Sequence, residues 1–231
     1  MSYLNEAFDA VAADRPRSER AQFLVKTYSH LLGAVVAFVL VVAALFSLGW
    51  AQAIALKLSR AWLLALGGFV LVSWVASRFA HRAEALSTQY VGLGLAVVAQ
   101  AVLFCPLLVV AELKAPGAIQ SAALVTVLGF GALTGIVFAT RQDFSFLRGV
   151  LLWAGVVTVL MIIGAIVFGL QLGVGFSVLM IAIAGASILH DTSEVMLRFP
   201  VTRYVGASLE LFSSVALLFW YVLRLFMSSR D

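Results

Sequence analysis

The sequence predicts an all-α integral membrane protein with seven transmembrane helices. Of its 231 residues, 63% are hydrophobic and only 11% are charged, and the mean hydropathy is +1.09. A soluble domain is nearer half apolar and a quarter charged, so this chain has too little polar surface to face water on all sides. Uncharged runs recur along it, and about 20 apolar residues are enough for a helix to cross the hydrocarbon core.

The predicted spans follow these uncharged runs in chain order. Residues 149–190 carry no charged side chain and are long enough for two spans, separated by a glycine-rich turn at "FGLQLGVG". The last span is interrupted by a single acid, Glu210. This last span is predicted at about residues 203–226, and the first four are predicted within residues 31–56, 61–77, 85–111 and 115–140.

The first 22 residues differ in composition from the rest of the chain. They are polar and of mixed charge, without a basic start followed by an apolar core, so we predict a cytosolic tail at 1–22 and a transmembrane domain at 23–231. Two thirds of the 15 lysines and arginines fall on the N-terminal side of the predicted spans. This distribution predicts a cytoplasmic N-terminus and a C-terminus outside. The net charge of +4 therefore reflects loops beside lipid and predicts no nucleic-acid partner.

Three charged side chains fall within or beside predicted spans near the cytoplasmic face. They are Asp191 at the end of the sixth span, Glu210 in the seventh and Arg78 at the end of the second. A carboxylate at mid-bilayer costs about 2.5–3.5 kcal/mol on insertion scales and needs water or a partner. We predict that the two acids and Arg78 meet in one polar layer, in which lowering the pH weakens an arginine–carboxylate latch. The alternative is that these residues only mark helix ends at the interface.

Metal binding and catalysis have weaker signals. His30, His81 and His190 all fall at predicted cytoplasmic ends of spans, an arrangement that could hold zinc but is also common for interfacial histidines. No two of these histidines are three or four residues apart, the spacing expected of two metal ligands on one helix. No G-x-S-x-G elbow or G-x-G-D motif occurs, so we expect no metal site, no cofactor and no enzymatic activity.

Four stretches carry a resemblance to a known family. They are "KTYSHLLGA", "ATRQDFSFLRG", "ILHDTSEVM" and "YVGASLELFSSVALLFWYVLRLFMSSRD". Together they resemble the Bax-inhibitor-1 (transmembrane Bax inhibitor motif) family, most closely its bacterial YccA-like branch. The resemblance covers roughly residues 23–231. It implies a multi-pass protein of the bacterial inner membrane, with six helices surrounding a central seventh.

The resemblance also implies candidate gating residues. Some bacterial members are pH-sensitive calcium leak channels, gated by an aspartate pair on the last two helices and an arginine on the second. Asp191, with His190 beside it, matches the first aspartate, and Arg78 matches the arginine. Ser214 stands where those members carry the second aspartate, and Glu210, one helical turn earlier, is a candidate substitute. Calcium would then be a permeant ion.

The YccA-like branch points to another class of function. Its members are associated with the membrane-bound AAA protease FtsH, as modulators held through the cytosolic N-terminal tail. We therefore expect an inner-membrane modulator of FtsH acting in membrane protein quality control, with a pH-sensitive cation leak channel as the alternative.

Overall fold

The structure is a computed structural model that describes residues 11–81 and 85–228. It is 87% helical, and within those ranges it contains eight α-helices and no strand. Seven of the helices are long and apolar enough to cross a membrane, which confirms the predicted fold class. The helices are α1 (Arg17–Ser47), α2 (Trp50–Arg60), α3 (Trp62–Ala80), α4 (Leu86–Lys114), α5 (Ala118–Thr140), α6 (Leu147–Phe168), α7 (Val174–Leu197) and α8 (Tyr204–Ser228).

The first span begins earlier than its uncharged run predicts. Helix α1 starts at Arg17, inside the predicted tail, whose first ten residues lie outside the described ranges. It ends before Gly49, which has a φ of +73°, a value that glycine adopts without steric cost. The end of the predicted run, around Leu56, belongs to the separate short helix α2. A charge-free run marks contact with lipid, whereas a helix can continue into water.

The turn predicted between the fifth and sixth spans is confirmed. Helix α6 ends at Phe168, and Gly169 follows it with a φ of +65°. The N–H of Leu170 then bonds the carbonyl of Ala165 at 2.8 Å, as expected for a left-handed glycine cap. The guanidinium of Arg224 donates to the carbonyl of Leu172, so a basic side chain of α8 holds this turn.

The sixth span extends beyond the predicted end. Helix α7 continues to Leu197, so Asp191 lies inside the helix, about 9 Å of helix rise before its last residue. The prediction that His190 and Asp191 end the span is therefore wrong. Pro200, shortly after the helix, disfavours its continuation. The position of the charged residues did not predict the end of this helix, because Glu194 and its neighbours remain helical.

The chain divides into two compact units. The first comprises Met1–Leu113 and Val195–Ser213, and the second comprises Lys114–Glu194 and Ser214–Asp231. In the first unit, α3 and α4 pack closely at Gly92, and Phe38 lies edge-on to Phe104 with ring centroids 5.3 Å apart. In the second, Phe176 and Tyr221 form a cluster with Met180.

Candidate functional site

Asp191 is held by two side chains within the second unit. Ser214 Oγ, on α8, donates to Asp191 Oδ2 at 2.5 Å, and His190 Nδ1 lies 3.1 Å from Asp191 Oδ1. The Asp191 side chain is only 16% exposed. Two elements thus fix this carboxylate, because α7 supplies the acid and its histidine neighbour while α8 supplies the hydroxyl. The structure places Asp191, His190 and Ser214 in one hydrogen-bonded group.

Glu210 belongs to a different group, in the first unit. Its Oε1 lies 3.0 Å from Nε2 of His81, the residue that directly follows α3. His81 Nδ1 donates to the carbonyl of Ser77 at 2.7 Å, so that nitrogen already carries a hydrogen. The contact between Nε2 and Oε1 therefore requires one further proton, on the imidazole or on the carboxyl. The hydrogen bond between His81 and Glu210 therefore exists only while one of the two side chains carries this proton.

The pKa of His81 reflects this arrangement. The hydrogen bond to Glu210 raises it above its ordinary value, and the Ser77 carbonyl and the charge of Glu210 act in the same direction. Burial and the charge of Arg203 lower the pKa of His81, but their effect is smaller than that of the contacts that raise it. A neighbouring carboxylate stabilises the imidazolium form. His81 is therefore a histidine whose protonated form persists to higher pH than usual.

Arg78 has a contact of its own. Its guanidinium lies 4.4 Å from the ring centroid of Trp74, one turn earlier in α3, a cation–π arrangement. Within the first unit, Glu210 is bonded by His81, three residues beyond Arg78. An arginine latch on the acids remains a prediction. The His81–Glu210 contact responds to pH in the opposite sense to such a latch, because acidification supplies the proton that the contact needs.

The three histidines singled out in the sequence have separate partners. His30 Nε2 lies 2.8 Å from the hydroxyl of Tyr90, whereas His81 contacts Glu210 and His190 contacts Asp191. Among residues 11–81 and 85–228, no three His, Cys, Asp or Glu side chains are grouped as metal ligands. These contacts give each histidine a hydrogen-bonding role.

Ser193 is a positioning residue that the sequence reasoning missed. Its Oγ accepts a hydrogen bond from the N–H of Phe144 at 3.0 Å and donates to the carbonyl of Gln142 at 3.3 Å. It thereby ties the loop between α5 and α6 to α7, two residues after Asp191. The available signal was the joint presence of "ATRQDFSFLRG" and "ILHDTSEVM", since these stretches meet at Ser193.

Seven apolar helices, with the hydrogen-bonded carboxylates Asp191 on α7 and Glu210 on α8, define a multi-pass membrane protein. A family model described as "Inhibitor of apoptosis-promoting Bax1" matches residues 20–231, so the chain belongs to the Bax inhibitor-1 family. Comparison with characterised proteins and with solved structures gave no match.

Proposed function

We propose that this protein is a non-enzymatic, pH-sensitive cation leak of the bacterial inner membrane, with Asp191 as its gating carboxylate. The observation that carries the proposal is the bond from Ser214 to Asp191, which fixes a largely enclosed acid within a membrane-spanning helix. Ionisable residues within membrane spans are costly, and they commonly mark ion pathways and proton relays. Calcium is the cation that the family resemblance favours.

Buried hydroxyls in the same unit support a polar pathway. Thr126 and Thr134 of α5, with Ser177 and Thr192 of α7, are at most 9% exposed. In the described part of the chain their hydroxyls have no hydrogen-bond partner. Unsatisfied polar groups are unfavourable inside a membrane unless water or an ion bonds them. These hydroxyls would offer hydrogen bonds to a hydrated cation.

The proposed gate depends on the charge of Asp191. An ionised carboxylate attracts a cation and accepts the Ser214 and His190 hydrogen bonds. Protonation removes the charge and weakens those charge-assisted bonds. Glu194, one turn later in α7, is a further charge on the same helix, and His190 is the titratable group in contact. A change in the charge of Asp191 should therefore change the leak.

The test is calcium flux into liposomes that contain the full chain and a calcium-sensitive dye. We expect wild-type flux to change with pH, and Asp191→Asn to lower it about tenfold at pH 8, as a lost attraction of about 1.4 kcal/mol would. Glu112→Gln removes an exposed carboxylate near the end of α4 and should behave as wild type. Flux no greater than in protein-free liposomes at every pH would refute the leak.

A second candidate function is modulation of FtsH. Ser214 supplies a hydroxyl where the leak-type members carry an acid, and this departure favours the YccA-like branch. Near the start of the described residues, the backbone is anchored by a hydrogen bond from the N–H of Ala12 to the carbonyl of Phe199, at 2.9 Å. A partner protease could therefore engage residues 1–10, which precede this anchored point.

Deletion of residues 1–10 tests this second function while leaving α1 and the Ala12 anchor in place. We expect the deletion to reduce co-purification with FtsH and to change turnover of the protein. Asp191→Asn should alter neither result. Unchanged co-purification and turnover after the deletion would exclude engagement through these residues.

A further inference from the structure

A groove runs along α1 and α4 within the first unit. It has a volume of about 450 Å³, which lies within the range of about 300–1,000 Å³ usual for small-molecule sites. Its lining is apolar along most of its length, with side chains such as Ala37, Val41 and Val97, and polar at one end, with His30 and Tyr90. Both helices are membrane spans, so a membrane-facing groove would be filled by part of a lipid or by another helix.

Two glycines give the groove its depth. Gly33 of α1 and Gly94 of α4 line it, and a Cβ added at either position would meet nothing within 4 Å. The first carbon of a side chain at either position would therefore lie in open space. This property allows the groove to be filled deliberately.

At the polar end His30 and Tyr90 bond each other, and a positive charge lies one helical turn beyond them. His30 Nδ1 bonds the carbonyl of Lys26 at 2.7 Å, and Nε2 lies 2.8 Å from the Tyr90 hydroxyl. Lys26, one turn before His30, places its ammonium 5.3 Å from the centroid of the Tyr204 ring. In the described ranges this ammonium pairs with no carboxylate. It can therefore bind an external anion.

The length of the groove matches one leaflet of a bilayer. Its lining on α1 runs from Ser29 to Val41, or roughly 18 Å of helix rise. Half of a hydrocarbon core about 30 Å thick is about 15 Å. An apolar groove of this length, with Lys26 one helical turn beyond its polar end, has the polarity of one anionic phospholipid, with its headgroup at that end.

We propose that this groove binds one anionic phospholipid. One acyl chain lies along Gly33, Ala37 and Gly94, and the phosphate contacts Lys26, beyond the His30–Tyr90 pair. A lysine near a membrane surface adds about 1 kcal/mol of attraction for anionic lipid, so the site prefers phosphatidylglycerol to phosphatidylcholine. A second copy of the chain is the competing occupant, because small residues also favour helix packing.

The experiment measures lipid retained by the purified full chain. The protein is exchanged into neutral detergent, mixed with dioleoyl-phosphatidylglycerol or dioleoyl-phosphatidylcholine, and weighed by native mass spectrometry. We expect wild type to retain one phosphatidylglycerol per chain. Gly94→Leu should abolish retention of both lipids, whereas Gly131→Leu on α5, where a Cβ also meets nothing within 4 Å, should retain phosphatidylglycerol as wild type does.

The headgroup contact has its own variant. Lys26→Gln should weaken binding of phosphatidylglycerol about fivefold and leave phosphatidylcholine unchanged, while Lys57→Gln on α2 should change neither. The proposal is overturned if Gly94→Leu and Gly131→Leu retain equal amounts of phosphatidylglycerol. It is also overturned if the masses show a dimer that Gly94→Leu disrupts and no bound lipid. Neither outcome bears on calcium flux through Asp191.

Discussion

The hydrogen bond between His81 and Glu210 depends on a single proton. The His81 Nδ1 hydrogen is committed to the Ser77 carbonyl, so the contact with Glu210 exists only while the pair holds one further proton. The pair is partly exposed, with side-chain exposures of 28% and 36%, so solvent screens it and its contribution is about 1 kcal/mol or less. A contribution of that size is still measurable.

We predict a specific pH dependence of stability from this pair. The folded-state pKa of His81 is raised, so its contribution is fully present below the ordinary value of about 6.5. That contribution is lost as the pH rises through the raised pKa. In detergent, the wild-type unfolding midpoint should fall by up to about 2–4 °C from this source over that interval, and His81→Gln should remove this part of the fall.

Two further variants check the assignment. Glu210→Gln should flatten the same interval, because the amide cannot stabilise the imidazolium as a carboxylate does. Glu112→Gln, a carboxylate outside the pair, should keep the wild-type dependence. A His81→Gln variant with an unchanged pH dependence would show that another group carries it.

At the scale of elements, the close approach of α3 and α4 helps to determine where the His81 side chain lies. A Cβ at Gly92 of α4 would lie 2.5 Å from the Ala76 carbonyl oxygen and 2.6 Å from the Ala80 nitrogen, both in the backbone of α3. The backbones cannot move apart without shifting the end of α3, after which His81 follows. This glycine therefore helps to set the position of the His81 imidazole, in the way that small residues allow close helix packing in membranes.

We predict that Gly92→Ala destabilises the protein. Overpacking usually costs 1–3 kcal/mol, so the unfolding midpoint in detergent should fall by roughly 5 °C. Gly67→Ala is the control on α3, where a Cβ meets nothing within 4 Å, and it should leave the midpoint unchanged or raise it slightly. Equal midpoints for the two variants would contradict the close contact between α3 and α4.

At the scale of the whole molecule, an odd number of spans predicts chain ends on opposite sides of the membrane. The bias of lysine and arginine predicts which side is which. From that bias we expect the loop that contains Gln142 to face the cytoplasm and the turn that contains Gln171 to face outward. Both side chains are exposed. The native Cys105 is fully buried, so it should not interfere with thiol labelling.

We predict opposite labelling of two matched variants. A membrane-impermeant maleimide should label Gln171→Cys in intact spheroplasts and Gln142→Cys only in inverted vesicles. Wild type, with Cys105 alone, should remain unlabelled in both preparations. The reverse pattern for the two variants would overturn the predicted orientation while leaving the seven spans intact.

The sequence by itself determined the number of spans and the turn at Gly169. Transfer of a segment into lipid depends mainly on that segment's own composition, so local sequence was sufficient. Helix ends were less predictable, because α1 and α7 continue past the charges that bound their apolar runs. A helix ends through capping, glycine or proline, and charge alone does not stop it.

Only the tertiary structure decided the partners of the polar groups. His81 and Glu210 are 129 residues apart, and Asp191 and Ser214 are 23 apart. Such contacts depend on how each helix is rotated and how closely its neighbours approach, as at Gly92. The polarity of a residue shows that it needs a partner inside a membrane. Which partner it finds follows from the packing of all the helices around it.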